Sequence, residues 1–357
     1  MMLPRLRTPA SSWTRRDWIA TLAVGAASAP QLLHAQTGRP EKPSLTLAVG
    51  GKTALYYLPL TLAAQLGYFT AEGLDVRLQD HAGGGLAAQA LQKGQADVVA
   101  GAFEHTLVLR QRGFACREFV LLGRAPQLVF AVSTRTPIDF RVLAQLKGHR
   151  IGVSAPQSST HWFSSFLLGR AGLTTADVEY VGVGTSSAAV AALRDGRIDA
   201  LVNIDPVISM LELRSDVRVL FDTRTLRGAQ DLYGGLMPAG CLYAPQEFVQ
   251  RHPNTVQALT NAVVRALKWL QTAGPSDMVK AVPEAYMYGD RAVYLAALNK
   301  VRDAFSPDGL LPDEAVQTAA RAVMRYDTGV AHQTPITDLG SRYTNDFARR
   351  AKLKYMA

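Results

Sequence analysis

Ser158, Ser159, Thr160 and His161 stand in a row after Pro156 and Gln157. Hydroxyls beside an imidazole are the raw material of nucleophilic hydrolysis, in which the ring takes the hydroxyl proton. That chemistry needs a base within about 3 Å of the nucleophile, an acid to orient the base, and donors for an oxyanion. No G-x-S-x-G elbow accompanies these residues. On a helix, Ser159 and His161 would also point to different faces, because neighbours two apart do not meet. The other chemistry open to them is binding. Hydroxyls at a helix start, with free backbone N–H groups behind them, make a host for sulfonate, carboxylate or phosphate. A second chemical pair, Glu104-His105, complicates that picture, since an ionised carboxylate repels an anion unless it is paired with Lys52, with His105 or with a donor on the ligand. Metal chemistry has little to work with: Cys116 and Cys241 are the only cysteines and no HExxH occurs. The expected state of the two cysteines is as buried thiols, with a bridge as the alternative in an oxidising compartment.

The elements that must position these residues are announced by an internal repeat. Residues 75 to 101 and 177 to 203 align without a gap, and Asp75/Asp177, Ala90/Ala192, Leu91/Leu193, Gly94/Gly196 and Asp97/Asp199 coincide. Each copy reads as a strand, a Gly- or Ser-rich loop, a short helix stopped by glycine, and a buried apolar strand. Upstream of each lies another strand-loop-helix, SLTLAVG then GKTA in one half and RIGVSA then PQSST in the other. Each half is therefore β-α-β-α-β, which predicts two α/β lobes with parallel sheets flanked by helices. Extended stretches at Leu128–Phe140 and Leu236–Pro245 read as two crossings between the lobes, so that lobe two (133–240) is inserted into lobe one (36–132 and 241–357). The helical remainder, with Val256, Leu259, Val263, Leu267 and Leu270 on one face, is expected to pack on lobe one. In open α/β sheets ligands collect outside the carboxyl ends of the strands, so the loops of the two lobes should face each other across a cleft.

The chain has 357 residues, 48% hydrophobic and 19% charged, as expected of an ordinary globular protein. Its net charge of +9 falls to about +6 without residues 1–35 and is scattered, with no run of five basic residues and no basic stripe, which argues against nucleic-acid binding. Those first 35 residues have the layout of an export signal: Arg15-Arg16 before a weakly apolar run, with cleavage expected after Ala35. The pair resembles a twin-arginine signal, which implies a periplasmic protein.

Four further stretches carry a resemblance: GYFTAEGLDV (67–76), ALQKGQADVVAGAFEH (90–105), KGHRIGV (147–153) and ALRDGRIDALVNIDP (192–206). Through them the chain resembles the periplasmic substrate-binding proteins of ABC importers, in the nitrate/sulfonate/taurine and NMT1/THI5-like group. The resemblance implies a two-lobed type II binding-protein fold, no catalysis, no cofactor, a monomer, and an inner-membrane ABC permease as partner. It implies a small anionic or zwitterionic ligand: a sulfonate, a taurine-like molecule, an aromatic carboxylate or nitrate. A thiamine-precursor pyrimidine is the alternative, followed by a sensor module or an enzyme of the same fold. The fungal pyrimidine synthases that share this fold carry a cysteine-rich motif, which two isolated cysteines do not supply. By position it makes Lys52, Thr53, Tyr56, Gly83, Gly84, Glu104 and His105 contacts from lobe one, and Ser158, Ser159, Thr160 and Asp205 contacts from lobe two. Tyr56 and Trp162 are candidates to flank an apolar body of the ligand, and His81 is expected on the surface of its loop.

Overall fold

A computed structural model of the chain describes residues 38–137, 142–326, 336 and 338–357. The expected leader lies outside these residues. The strands are β1 (Ser44–Val49), β2 (Asp75–Asp80), β3 (Val98–Ala102), β4 (Cys116–Leu121), β5 (Val129–Ser133), β6 (Arg150–Val153), β7 (Glu179–Gly182), β8 (Ala200–Asn203), β9 (Val217–Asp222) and β10 (Gly240–Pro245). They form two five-stranded sheets, in the orders β2-β1-β3-β10-β4 and β7-β6-β8-β5-β9.

The α/β class and the two-lobed layout agree with the repeat, but the sheets are mixed rather than parallel throughout. Pairs β1–β2, β1–β3, β6–β7 and β6–β8 are parallel, as the β-α-β pattern demands. In each sheet one strand runs antiparallel to both its neighbours: β10 between β3 and β4, and β5 between β8 and β9. These are the strands on which the chain enters from the other sheet, so no β-α-β crossover within one sheet sets their direction. The extended stretch that begins at Leu128 is thus β5 itself, and it belongs to the second sheet. The chain passes between the sheets at residues 122–128 and 234–239, and the two passages hold each other: Leu122 and Gly123 N–H donate to the Gly240 carbonyl at 2.7 and 3.1 Å, and Ala239 N–H to that of Gly123 at 2.9 Å.

The repeat has a physical meaning in the fold. Asp97 and Asp199 each precede the central strand of a sheet and accept a backbone N–H from the neighbouring first strand, Thr46 at 3.0 Å and Arg150 at 2.9 Å. Each carboxylate also holds a cation, Lys42 and Arg150 respectively. Gly94 and Gly196 sit at φ +67° and +68°, the left-handed stop that ends each helix. The helices relevant to the site are α1 (Leu58–Gln65), α2 (Tyr68–Ala71), α3 (Gly84–Gln92), α4 (Glu104–Gln111), α5 (Ser159–Arg170), α6 (Ser187–Arg194) and α7 (Val207–Leu213).

Later in the chain come α8 (Leu226–Tyr233), α9 (Gln246–Arg251), α10 (Pro253–Thr272), α11 (Pro275–Ala281), α12 (Arg291–Val301), α13 (Asp313–Val323) and α14 (Asp346–Tyr355). Helix α10 packs its Val256, Leu259, Val263, Leu267 and Leu270 face into the core of the first sheet, against α1, α2 and β4. Helix α12 reaches the second lobe as well, where Lys300 pairs with Glu212 at 2.8 Å. The cysteines are free and buried. They stand on adjacent strands but out of register, with Cys241 opposite Leu121 and Cys116 opposite Pro245. At about 3.4 Å per residue that offset is well beyond disulfide reach.

Candidate functional site

The loops after β1, β2, β6, β7 and β8 converge where the sheets face each other. Helix α3 begins at Gly84 beyond the N-cap Gly83, and α5 begins at Ser159 beyond the N-cap Ser158. One helix start comes from each lobe, and they meet: Gly85 N–H donates to Ser158 Oγ at 2.8 Å. A second bridge runs from Leu55 N–H to the Asp205 carbonyl at 2.9 Å, and a third from Arg112 Nη2 to Gln157 Oε1 at 2.6 Å. The fit leaves no room for side chains. A Cβ on Gly83 would stand 2.8 Å from both Ser154 Oγ and Ser158 Oγ, and one on Gly84 would stand 2.7 Å from the His105 ring.

Between the helix starts is a small cavity of ≈ 20 Å³, lined by Tyr56, Tyr57 and Gly84 on one side and by Ser154, Ser158, Ser159, Thr160 and Thr185 on the other. That is room for about one water molecule in this closed arrangement. No Lys or Arg lines it. What it offers is hydroxyl groups and two helix N-termini, a neutral set of donors that favours negative charge through dipoles. Through Thr185 it adjoins a larger polar space of ≈ 400 Å³ lined by Thr53, Asp80, His81, Gly184 and Arg197. His81, expected on the loop surface, is half-buried there.

The structure thus brings Tyr56, Gly84, Ser158, Ser159 and Thr160 together around one cavity and places Thr53 in the adjoining space. Thr160 is already braced within its own lobe, its Oγ1 bonded to Ser154 N–H at 2.9 Å and to Ser154 Oγ at 2.8 Å. Thr53 Oγ1 is 2.5 Å from Tyr288 OH. Lys52 lines neither space; its backbone N–H donates to Asp80 Oδ1 at 2.7 Å. Asp205 is 1% exposed and turns its carboxylate inward, to Ser209 N–H at 2.8 Å and Arg224 Nη1 at 3.3 Å. Burial raises its pKa, and Arg224 opposes that rise. Only its carbonyl faces the other lobe. His161 Nδ1 accepts the Gln157 N–H at 3.3 Å, and its ring packs edge-on against Tyr180.

Ser154, Thr185 and Tyr57 are cavity residues that spacing did not single out. Thr185 lies in the Gly182–Ser187 loop already marked by its glycines and serines, whereas Ser154 looked only like a strand end. Arg224, which fixes Asp205, carried no signal.

Glu104 stands behind Ser159. It is 4% exposed, and burial lifts its pKa to about 7, with a backbone N–H and the Ser159 hydroxyl opposing the rise. The unfolded chain ionises this group near 4.5. Between pH 4.5 and 7 the folded protein therefore retains a proton that the unfolded chain has lost, and stability falls as pH rises through that window. At 1.36 kcal/mol per pH unit the full cost is about 3 kcal/mol above pH 7. Glu104→Gln should therefore be more stable than the parent by about 2–3 kcal/mol at pH 8 and equal to it at pH 4.5, measured by urea unfolding at both. A pH-independent difference would place the carboxyl in water.

This geometry, two α/β lobes with two crossings and helix starts facing across a cleft, is that of a type II periplasmic binding protein. The model of the NMT1/THI5-like family matches residues 54–275, and the chain belongs to that family. A solved structure of a protein from Bordetella bronchiseptica RB50 is 48% identical, over 89% of this chain and 99% of that one, with a TM-score of 0.84. The alkanesulfonate-binding protein SsuA of Xanthomonas axonopodis pv. citri, solved with bound MOPS, shares the fold at 20% identity, covering 79% of this chain and 90% of that one with a TM-score of 0.60. Among curated proteins, the 4-amino-5-hydroxymethyl-2-methylpyrimidine phosphate synthase of Schizosaccharomyces pombe is 25% identical over 61% of this chain, an alignment that spans 63% of its own length.

Proposed function

We propose that this protein is a non-catalytic solute receptor that closes its two lobes on a small anionic or zwitterionic organic ligand, such as a sulfonate, a taurine-like molecule or an aromatic carboxylate, or on nitrate. The observation that carries the reading is the meeting of α3 and α5, one helix start from each lobe, at a hydroxyl-lined cavity without lysine or arginine. Such a site binds negative charge through N–H and O–H donors. The closed arrangement has room for about one water in the central cavity, so a ligand requires the Gly85–Ser158 and Leu55–Asp205 bridges to part and the lobes to close around it with the adjoining ≈ 400 Å³ space. Under this reading the expected boundary at 132/133 moves to before β5 (Val129–Ser133), which belongs to the second lobe, and the passages 122–128 and 234–239 are the hinge. Residues 1–35 direct export to the periplasm by the twin-arginine route, and a monomer delivers its ligand to an ABC permease.

The second reading, a binder of thiamine-precursor pyrimidine, is favoured by the Schizosaccharomyces pombe relative and by the Glu104 carboxyl behind Ser159, an acceptor for an amino group. A thermal-shift screen of residues 36–357 against sulfonates, aromatic carboxylates, nitrate and aminopyrimidines separates the two. A true ligand at a hundredfold its dissociation constant adds about 2.7 kcal/mol and is unmistakable. Stabilisation by the pyrimidine alone selects the second reading, and no response to any class overturns both.

A further inference from the structure

Glu104 is the first residue of α4 and Ser159 the first residue of α5, so the carboxyl and the hydroxyl belong to the starts of two helices from different lobes. Ser159 lines the central cavity, and its hydroxyl is hydrogen-bonded to the Glu104 carboxyl behind it. Glu104 is buried and lines neither that cavity nor the adjoining polar space. It stands one hydroxyl away from the place where a ligand would sit. The cavity has no lysine or arginine to mask its charge.

The groups around this carboxyl are neutral near pH 7. Tyr56 and Tyr57 before α1, Tyr233 on α8, Tyr243 and Cys241 on β10, and Tyr326 after α13 all feel its charge. Burial raises the pKa of each, so all of them keep their protons. His105, the next residue of α4, is held neutral by burial and then by the Arg112 charge, which lower its pKa to about 3. No cation among the described residues offsets the burial of Glu104. Only its own backbone N–H and the Ser159 hydroxyl do so, and its pKa lies at about 7. Of this cluster, the Glu104 carboxyl is the group that changes charge near neutrality.

An ionised carboxylate only accepts hydrogen bonds, so Ser159 commits its single hydrogen to Glu104 and keeps only lone pairs for the cavity. A protonated carboxyl donates to Ser159 Oγ instead, and the serine hydrogen becomes free for a ligand. One proton taken from solvent thus removes a negative charge behind the site and turns an acceptor into a donor. Both changes favour an anion. We propose that Glu104 is a positioning residue that couples anion binding in the central cavity to uptake of a proton, held on its carboxyl while the ligand is bound and returned to solvent on release. The proposal rests on the anion-receptor reading and fixes the sign of its pH dependence: an anion binds more tightly as pH falls. A ligand that donates an amino hydrogen to the Glu104 carboxylate would show the opposite sign.

Calorimetric titration of the full chain with methanesulfonate, benzoate and nitrate, from about pH 6.5 to about pH 8.5, tests it, since these probes stay singly charged throughout. His81, in the adjoining space, titrates below this window because burial lowers its pKa. The affinity of a bound probe should fall about tenfold across the window, and titrations at mid-window in buffers of different ionisation enthalpy should show uptake of about half a proton or more per ligand. Glu104→Gln keeps a neutral donor behind Ser159 and should bind the probe with an affinity independent of pH and without proton uptake. Ser159→Ala keeps the carboxyl but removes the hydroxyl, and its pH slope should be shallower than the parent's. A flat profile or an opposite slope in the parent, or the parent's slope retained in either variant, overturns the proposal and leaves the receptor reading standing. Failure of every probe to bind at any pH overturns the anion-receptor reading and this inference with it.

Discussion

Gly85→Ala is expected to disfavour lobe closure while leaving each lobe intact. Gly85 is the second residue of α3, in helical geometry, where alanine by itself is preferred over glycine by about 0.5–1 kcal/mol. A Cβ there would stand 2.6 Å from the Pro156 carbonyl oxygen and 2.9 Å from that of Gln157. These are backbone atoms of the other lobe, and no rotamer change moves them aside. The methyl group therefore penalises only the closed form, by about 1–3 kcal/mol, which weakens ligand binding about 10–100-fold. Calorimetric titration with whichever compound stabilises the parent, together with the radius of gyration in solution scattering, gives the readout. The variant should be larger in solution than the parent and no less resistant to urea. An affinity within twofold of the parent, with an unchanged radius, would show that the lobes do not close through this contact.

Arg224→Met should produce the largest loss of stability. The Arg224 side chain is 5% exposed and binds Asp222 at 2.6 Å, Glu212 at 2.9 Å and Asp205 at 3.3 Å. Glu212 keeps Lys300 as a second cation, and the Asp222 side chain, 37% exposed, has water. Asp205 has neither, and its carboxylate would be left buried with the Ser209 N–H alone. Removing one partner of a buried pair costs about 3–5 kcal/mol.

The pH dependence identifies the cause. Without the guanidinium, burial holds the folded-state pKa of Asp205 above its unfolded value. The folded variant then keeps a proton that the unfolded chain releases, and its stability recovers as pH falls. The gap between variant and parent in urea unfolding should therefore narrow from pH 8 to pH 5, and adding Asp205→Asn should restore most of it. A gap that is constant with pH and untouched by the second substitution would assign the loss to packing. Since the Asp205 carbonyl accepts Leu55 N–H across the lobes, weaker ligand binding should accompany the loss.

The two predictions differ in how far the sequence reveals them. Gly85 belongs to the glycine run 83–85 at a helix start, a local pattern that marks close backbone approach, and only the identity of the approaching atoms was hidden. Arg224 and Asp205 lie 19 positions apart on separate loops, and nothing local pairs them. The same division runs through the site. Ser158, Ser159 and Thr160 could be placed at a helix start from their own neighbours, because capping and helix dipoles are properties of a few consecutive residues. Thr185 could be placed in the facing loop for the same reason. That Thr160 spends its hydroxyl on Ser154, that Lys52 lines neither space, and that Ser159 donates to Glu104 are matters of side-chain direction between segments distant in the chain.

By itself the sequence determined the α/β elements, their duplication and the family, because periodicity, glycine stops and the Asp97/Asp199 pair are short-range signals repeated twice. Only the tertiary structure decided that β5 and β10 run antiparallel and that the lobes meet on Gly85 and Ser158. It alone decided that His105 Nε2 and Trp162 Nε1 are buried without a partner among the described residues. Each of these is set by how segments far apart in the chain pack to exclude water, and no local pattern encodes that packing.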